Sequence, residues 1–244
     1  MNKLINFFKG IPFFFQGIKV FHPKISFSGK RVAIVGPADS AYEMENGSYI
    51  DGFDYVIRIN KAISTWKHEN EKYIGTRTDL WFHSFFENEK SGGGKLNPEI
   101  IIERGVNTLV NPRSTFQAYR RTFNFYRKYK HTIPVYHLSD NVYRALKKEF
   151  PDNLRPTVGF TALYAALISE CNELFITGFT FFKTPYAQGY RDHLVDLEEN
   201  KKHFKKQGIH DAGLEFILFK KFLKESRCET VKLDNKLDAI LAND

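Results

Sequence analysis

Cysteine is scarce in this chain, which has only Cys171 and Cys228 among its 244 residues. Two cysteines do not form the disulfide framework that holds small secreted domains together, so we infer a reducing, cytoplasmic environment. The spacings Cys-x-x-Cys and His-Glu-x-x-His are absent, which excludes the common zinc motifs. We therefore expect no metal site and no metal cofactor.

Long apolar runs are absent as well. Near the N-terminus the run Ile11-Pro-Phe-Phe-Phe15 is far shorter than the ~20 residues that span a membrane, and no small-residue cleavage site follows it. We expect neither a transmembrane helix nor a signal peptide. The patterns Gly-x-Gly-x-x-Gly and Gly-x-x-x-x-Gly-Lys-Ser/Thr are also missing, which weakens a dehydrogenase or an ATPase as the function.

The composition describes one basic globular domain. The chain is 42% apolar and carries 36 basic against 28 acidic residues, a formal charge of +8. This length supports one well-buried core, and we expect a single catalytic domain over residues 30–244. The positive charge favours partners that carry phosphate or carboxylate.

Residues 1–29 form a distinct N-terminal segment in this reading. Residues 1–30 contain five lysines and seven phenylalanines but no acidic residue. Aromatic rings that enter the headgroup layer, next to lysines that attract anionic lipid, would give peripheral membrane contact. The alternative is that these rings cover the core of the domain itself, and the sequence leaves both interpretations open.

Short β-branched or aromatic runs alternate with helical patterns along the chain. The predicted strands cover residues 31–35, 55–59, 79–82, 108–110, 134–136 and 230–233, and the predicted helices cover 114–129, 140–150, 160–169 and 211–224. Strands that alternate with helices indicate an α/β fold, here a Rossmann-like nucleotide-binding sheet flanked by helices. Ligands of such sheets bind beyond the carboxyl ends of the strands.

Four segments, in this order, give the sequence its most specific feature. Residues 31–36, continued by 50–62 and 74–78, resemble the large motif of the sialyltransferases. Residues 156–159 and 176–179 resemble their small motif. His193-Leu-Val-Asp196 lies where the third motif of the family would be. His210 and Glu215 keep the His-x-x-x-x-Glu spacing of the very small motif. The chain thus resembles glycosyltransferase family 29, of a bacterial type and with some likeness to the small family 42 sialyltransferases.

This resemblance implies an inverting transfer of a sialic-acid-like sugar from a CMP-sugar donor to the hydroxyl of a glycan acceptor, without a metal, on a Rossmann-like, GT-A-like variant fold. His210 would accept the proton of the attacking hydroxyl, and His193 would contact the leaving phosphate. The implied nucleotide-binding residues are Gly36, Asp39, Ser40, Asn60, Thr157, Val158, Gly159, Tyr186 and Tyr190. We expect Glu215 to brace the start of its own helix or the neighbours of that start rather than to contact the His210 ring.

Elementary chemistry supports this assignment. The sugar departs as an oxocarbenium-like species, so the protein must stabilise the leaving phosphate and remove one proton from the acceptor. Two histidines can perform both tasks, because imidazole titrates near ~6.5. The remaining histidines, among them His83 and His137, have no such context, and we interpret them as structural or solvated.

The sequence also departs from the family pattern. Val32 replaces a cysteine of the large motif that would pair with Cys171, Pro37 replaces an asparagine, and Leu194-Val195 replaces an aromatic pair. The missing partner of Cys171 agrees with the cytoplasmic assignment. The family disulfide cannot form, and the contacts to the pyrimidine and the sugar can differ.

Two alternatives to the sialyltransferase remain open. A CMP-Kdo transferase would share the nucleotide, and a non-catalytic nucleotide- or anion-binding module would keep the fold without turnover. Arg120 and Arg121 with nearby aromatic residues resemble a nucleic-acid surface, but we favour no nucleic-acid partner. We expect a cytoplasmic enzyme, peripheral on the inner face of the membrane, that builds a surface glycan such as lipooligosaccharide or capsule. The oligomeric state is not predicted.

Overall fold

Strands rich in valine, isoleucine and phenylalanine form the centre of the protein in a computed structural model. The structure describes residues 2–88, 92–96, 98–130, 132–190 and 208–243, with side chains from residue 7 onward. The strands in these ranges are β1 (Ile18–Phe21), β2 (Arg31–Val35), β3 (Tyr55–Ile59), β4 (Leu80–Phe82), β5 (Thr108–Asn111), β6 (Val135–Leu138), β7 (Glu173–Thr177) and β8 (Thr230–Leu233). They form one parallel sheet in the order β1-β6-β5-β4-β3-β2-β7-β8.

Helices cover both faces of this sheet. They are α1 (Asn2–Gly17), α2 (Pro23–Ser26), α3 (Gly47–Asp51), α4 (Glu71–Ile74), α5 (Pro98–Glu103), α6 (Phe116–Tyr129), α7 (Asp140–Lys148), α8 (Val158–Leu167), α9 (Ala212–Lys224) and α10 (Asn235–Ala242). Val32 and Ile34 of β2 pack with the side chains of α7, α8 and α9, whereas Ala33 and Val35 point to the opposite face. The α/β fold predicted from the sequence is confirmed, and each predicted strand and helix is present with small shifts of its ends.

The order of the strands reverses beside β2. The chain adds β3, β4, β5 and β6 on one side of β2, and then β7 and β8 on the other. The two loops that leave β2 and β7 lie so close together that a Cβ atom on Gly36 would be only 2.3 Å from the carbonyl oxygen of Gly178. In open α/β sheets such a reversal is where ligands bind.

The N-terminal segment joins the core over part of its length. Strand β1 pairs with β6 at the edge of the sheet, and Phe21 and Phe27 are buried. Helix α1 packs along α6, where the Phe14 ring contacts the rings of Phe123 and Tyr126. Residues 18–27 are therefore part of the packed fold, and the boundary at residue 29 stays a prediction.

Other rings of α1 face solvent. Phe8 is 61% and Phe15 is 74% exposed, and their separation of seven positions places both on one side of the helix. Within the described ranges, no helix is long and apolar enough to cross a membrane. The core interpretation thus applies to Phe21 and Phe27, which are buried, and the membrane interpretation to Phe8 and Phe15, which are exposed.

The two cysteines form a disulfide between Cys171, just before β7, and Cys228, just before β8. We did not predict this pairing. The family disulfide involving the Val32 position is absent, as expected, but Cys171 finds another partner because β7 and β8 are neighbours in the sheet. The cysteine content therefore gives no support to a reducing compartment, and the cytoplasmic location stays a prediction.

Candidate active site

A cavity of about 310 Å³ opens at the carboxyl ends of the strands, beside the reversal of strand order. Its walls come from the loops after β2, β3, β4, β5 and β7, from the start of α8 and from the residues before α9. Seven of the residues predicted from the sequence line it together: Asn60, Thr157, Val158, Gly159, Tyr186, Tyr190 and His210. His193 lies outside the described residues, and its role stays a prediction.

Gly36, Asp39 and Ser40 are not among the described residues that line the cavity. Gly36 stands behind the lining residues, where it permits the close approach to Gly178. The Asp39 carboxylate accepts a hydrogen bond of 2.5 Å from the Thr184 hydroxyl, and the buried Ser40 hydroxyl donates to Asp234 at 3.1 Å. In this structure the three residues shape the loops around the cavity, and their contact with a ligand stays a prediction.

Asp234 accepts hydrogen bonds from the two loops that border the site. Its buried carboxylate accepts from Ser40, from the Thr177 hydroxyl at 3.0 Å and from the Gly178 N–H at 2.8 Å. Its second oxygen accepts from the Leu237 N–H at 2.7 Å and caps α10. One carboxylate thus ties the ends of β2 and β7 to the last helix.

Asn60 is held in one orientation at the end of β3. Its φ of 48° is in the left-handed region, which asparagine tolerates better than most residues. Its main-chain oxygen accepts from the Trp81 indole at 2.7 Å, and its side-chain oxygen accepts from the Ser84 N–H at 3.1 Å. No described residue accepts from its side-chain NH₂ group, so these donors remain for a ligand in the cavity.

Arg58, two residues before Asn60, explains why the large motif extends to residue 78. Its guanidinium is fully buried and donates to the Ile74 carbonyl at 2.7 Å and to the Thr78 hydroxyl at 3.0 Å. Burial lowers the pKa of Arg58 to about 10. The arginine fastens the 74–78 turn to β3 and thereby fixes the strand that presents Asn60.

The start of α8 faces the cavity with Thr157, Val158 and Gly159. Thr157 is the N-cap, and its hydroxyl accepts from the Phe160 N–H at 3.1 Å. The first N–H groups of a helix lack partners within the helix and lie at the positive end of its dipole, which suits an anion. A Cβ atom on Gly159 would lie 2.9 Å from the Phe179 ring, so glycine allows the helix start to pack there.

Glu215 reaches the same helix start from α9. Its carboxylate accepts from the Thr157 N–H at 2.6 Å and from the Thr157 hydroxyl at 2.8 Å. The side chain is buried, with 3% exposure, and burial raises its pKa to about 8. Glu215 thus braces the start of α8, a neighbour of its own helix, which agrees with the expectation from the sequence.

His210 lies two residues before α9 and lines the cavity. Its Nδ1 atom is 2.7 Å from the carbonyl oxygen of Arg155. A carbonyl oxygen can only accept, so Nδ1 carries the proton, and in the neutral ring Nε2 is the basic nitrogen. The Arg155 N–H donates in turn to the Ile209 carbonyl at 3.0 Å, which fixes the two segments to each other.

The tyrosines belong to the loop after β7. Tyr186 forms an isolated antiparallel bridge with Ala38, and the Ala187 N–H donates to the Pro37 carbonyl at 2.9 Å. The rings of Tyr186 and Tyr190 lie 4.8 Å apart and both line the cavity. Two loops from neighbouring strands are thus joined through their backbones over the site.

Three arginines that the motifs did not predict as site residues also line this cavity, Arg113, Arg121 and Arg155. Arg121 was noted only as part of a nucleic-acid-like surface, and Arg155 stands immediately before the small motif. Arg113 follows β5, two residues after Asn111. The position of a residue just beyond a strand end was the available indication for Arg113.

His83 and His137 are structural, as we interpreted them. His83 is fully buried between the Gly93 carbonyl and the Phe85 N–H. His137 stacks on the Tyr119 ring, with 4.1 Å between centroids, and donates through Nδ1 to the Arg113 carbonyl at 2.9 Å. Burial lowers the pKa of both imidazoles to about 4, so they stay neutral at physiological pH.

The fold and the position of its cavity are those of a nucleotide-binding α/β protein. The family model of glycosyltransferase family 29 (sialyltransferase) matches residues 2–227. The chain belongs to this family, which confirms the resemblance seen in the sequence.

Known proteins agree with this placement. The chain is 23% identical, over 210 residues, to a CMP-N-acetylneuraminate-beta-galactosamide-alpha-2,3-sialyltransferase 2 of Mus musculus, covering 83% of this chain and 57% of the relative. The rat protein of the same name gives the same identity and coverage. The chain thus spans little more than half the length of these curated relatives.

Solved structures share the fold. A mammalian sialyltransferase in complex with Gal-beta-1-3GalNAc-ortho-nitrophenol has a TM-score of 0.54 at 18% identity, covering 92% of this chain and 77% of the other. The sialyltransferase CstII from Campylobacter jejuni, in complex with CMP-3FNeuAc, has a TM-score of 0.51 at 20% identity, covering 88% and 83%. At these identities the likeness establishes the fold.

Proposed function

We propose that this chain transfers a sialic-acid-like sugar from a CMP-sugar to a hydroxyl of a glycan acceptor, with inversion at the anomeric carbon. The observation that carries the proposal is the cavity in which the small-motif residues Thr157, Val158 and Gly159 meet His210 of the very small motif. Membership of the sialyltransferase family supports it. So do relatives whose names state that they use CMP-N-acetylneuraminate.

The reaction requires one proton acceptor and one stabilised leaving group. The acceptor oxygen forms a bond to the anomeric carbon while the bond from that carbon to the phosphate oxygen of CMP breaks. The proton of the acceptor hydroxyl passes to Nε2 of His210, because Nδ1 already donates to the Arg155 carbonyl. The electron pair of the broken bond leaves with CMP.

The departing nucleotide needs fixed donors where its charge develops. The N–H groups at the start of α8 and the side-chain NH₂ group of Asn60 are such donors, and both line the cavity. We propose that they hold the CMP part of the donor without a metal ion. Tyr186 and Tyr190 complete the same wall.

Incubation with CMP-sialic acid and with CMP-Kdo, in the presence of a panel of glycosides, tests the reaction. We expect release of CMP and a product of inverted anomeric configuration from CMP-sialic acid. Turnover of CMP-Kdo alone would show that the donor is an eight-carbon acid. Binding of CMP without transfer or hydrolysis would identify a non-catalytic module.

We also propose that the chain acts as a cytoplasmic enzyme at the inner face of the membrane, on a surface glycan such as lipooligosaccharide or capsule. The exposed Phe8 and Phe15 rings on α1, with the exposed Lys9 beside them, support a peripheral contact. Helix α1 lies on the face of the sheet opposite α8, since its Phe13 and Phe14 pack with Trp81 and Leu109. Contact through α1 would not cover α8.

A further inference from the structure

Three arginines meet in the cavity from separate parts of the chain. Arg113 follows β5, Arg121 lies in the second turn of α6, and Arg155 precedes α8. Their convergence at one wall therefore results from the tertiary fold and not from a local run of basic residues.

No described carboxylate pairs with these three side chains. The Arg113 side chain is 8% exposed and donates to no described residue. The Nε atom of Arg155 is buried without a hydrogen-bond partner. Arg121 makes only a weak hydrogen bond of 3.4 Å to the Ser84 carbonyl and lies 4.7 Å from the centroid of the Phe86 ring. Most of the guanidinium N–H groups in the cluster thus have no acceptor among the described residues and can donate to a ligand.

The arrangement is electrostatically unfavourable without an anion. Burial, and then the positive charge of Arg155, lower the pKa of Arg113 to about 10. Burial and the charge of Arg155 also lower the pKa of Arg121. Crowded like charges in a cleft are typical of a binding site, because a bound counter-ion removes their repulsion.

The cluster shares the cavity with the proposed nucleotide site and adjoins the proposed base. Arg113 stands beyond β5, which is two strands from β3 and its Asn60, or about 10 Å at a strand spacing of about 4.8 Å. The main-chain carbonyl oxygen of Arg155 accepts a hydrogen bond from Nδ1 of His210, the group that would act on the acceptor. A group on the molecule that His210 deprotonates can therefore reach the arginines within the same cavity.

Building on the proposed function, we propose that Arg113, Arg121 and Arg155 form an anion subsite that binds an acidic group of the acceptor glycan. A carboxylate or a sulfate fits the planar guanidinium fork, which can donate two parallel hydrogen bonds. The enzyme would then prefer acceptors that already carry an acidic sugar or a sulfate over neutral ones.

Binding of matched acceptors to the CMP-saturated protein tests this subsite by calorimetry. The probes are a lactoside and the same lactoside with one sulfate or one sialic acid. We expect the wild type to bind an acidic lactoside at least tenfold more tightly than the neutral one. Arg121→Gln should reduce that ratio to threefold or less, and Arg121→Lys should retain part of it. Arg120→Gln is the control, because Arg120 is exposed on the same helix and does not line the cavity.

The outcomes separate the subsite from the reaction. Equal affinity of the wild type for the acidic and neutral lactosides would overturn the subsite. A tenfold loss of affinity for CMP in Arg121→Gln would assign the arginines to the donor phosphate, and a selective loss for CMP-sialic acid would assign them to the donor carboxylate. Either result contradicts the acceptor subsite. The absence of both CMP binding and CMP release in the wild type would refute the proposed function instead.

Discussion

Glu215 holds Thr157 by both of its side-chain oxygens, accepting from the backbone N–H at 2.6 Å and from the hydroxyl at 2.8 Å. The two residues are 58 positions apart and come from the small and very small motifs. Thr157 caps the helix whose first N–H groups face the cavity. Glu215 follows His210 by five positions and lies in the first turn of α9. The start of α9 thus connects the proposed base to the proposed nucleotide site.

Glu215 should make stability depend on pH. Burial raises its pKa in the folded protein to about 8, whereas an unfolded glutamate releases its proton near ~4.3. Between about pH 5 and pH 8 the folded state binds more protons than the unfolded state, so the free energy of unfolding falls as pH rises. The decrease is on the order of a few kcal/mol.

Urea denaturation of wild type and Glu215→Gln at pH 5, 6, 7 and 8 measures this effect. We expect a flatter dependence in Glu215→Gln, because a neutral amide keeps a hydrogen bond to Thr157 without a charge to desolvate. Glu149→Gln is the control, since Glu149 pairs with Lys221 near the surface. If the free energy of unfolding changed with pH by the same amount in the wild type and in Glu215→Gln, the prediction would be contradicted.

His210→Ala should reduce transfer by ~10²–10⁴-fold and leave the affinity for CMP nearly unchanged, because the base acts on the acceptor. Initial rates with a saturating CMP-sugar and calorimetric titration with CMP provide the two measurements. His68→Ala is the matched control, since His68 is solvent-exposed on the surface. Near wild-type turnover in His210→Ala would remove His210 from the proton transfer.

The sequence predicted the sheet well where single elements carry their own pattern. Residues 31–35 and 55–59 are rich in valine and isoleucine, which is typical of strands buried on both faces. Strand β1 was missed because Ile18–Phe21 joins the edge of the sheet and buries chiefly Phe21. Its stability comes from pairing with β6, which no local pattern shows.

The site was predicted in part for the same reason. The motif residues around Asn60, Thr157 and His210 were recognisable along the chain, whereas Arg113 is defined only by a strand end that tertiary structure brings to the cavity. Asp39 and Ser40 looked like ligand-binding residues after a strand, yet their oxygens contact Thr184 and Asp234. Polar residues in a loop can bind either the ligand or the next loop, and the sequence does not distinguish them.

Removal of metal ions should leave transfer intact if fixed N–H groups stabilise the leaving phosphate. The part of the chain that the structure describes contains no cluster of histidine, cysteine, aspartate or glutamate that could hold a metal ion. Rates in excess EDTA, with and without added Mn²⁺ or Mg²⁺, test the proposal. Complete loss in EDTA with recovery in Mn²⁺ would show that the donor is bound through a metal.

Helix α1 should attach the protein to anionic membranes through its exposed phenylalanines. A deletion of residues 1–26 cannot test this, because it removes β1 and the buried Phe21. We therefore expect the double substitution Phe8→Asp and Phe15→Asp to reduce co-sedimentation with phosphatidylserine vesicles by tenfold or more, since it replaces apolar rings by charges that the lipid repels. Transfer to a soluble acceptor should persist.

Ile217→Asp provides the control for the membrane contact. Ile217 is also exposed, but it lies on α9, whose buried residues pack against the opposite face of the sheet. Vesicle binding by this variant should match the wild type and should fall with added salt, because anionic lipid attracts the lysines of the N-terminal segment. Equal binding by all three proteins, or no binding by the wild type, would show that Phe8 and Phe15 do not meet lipid.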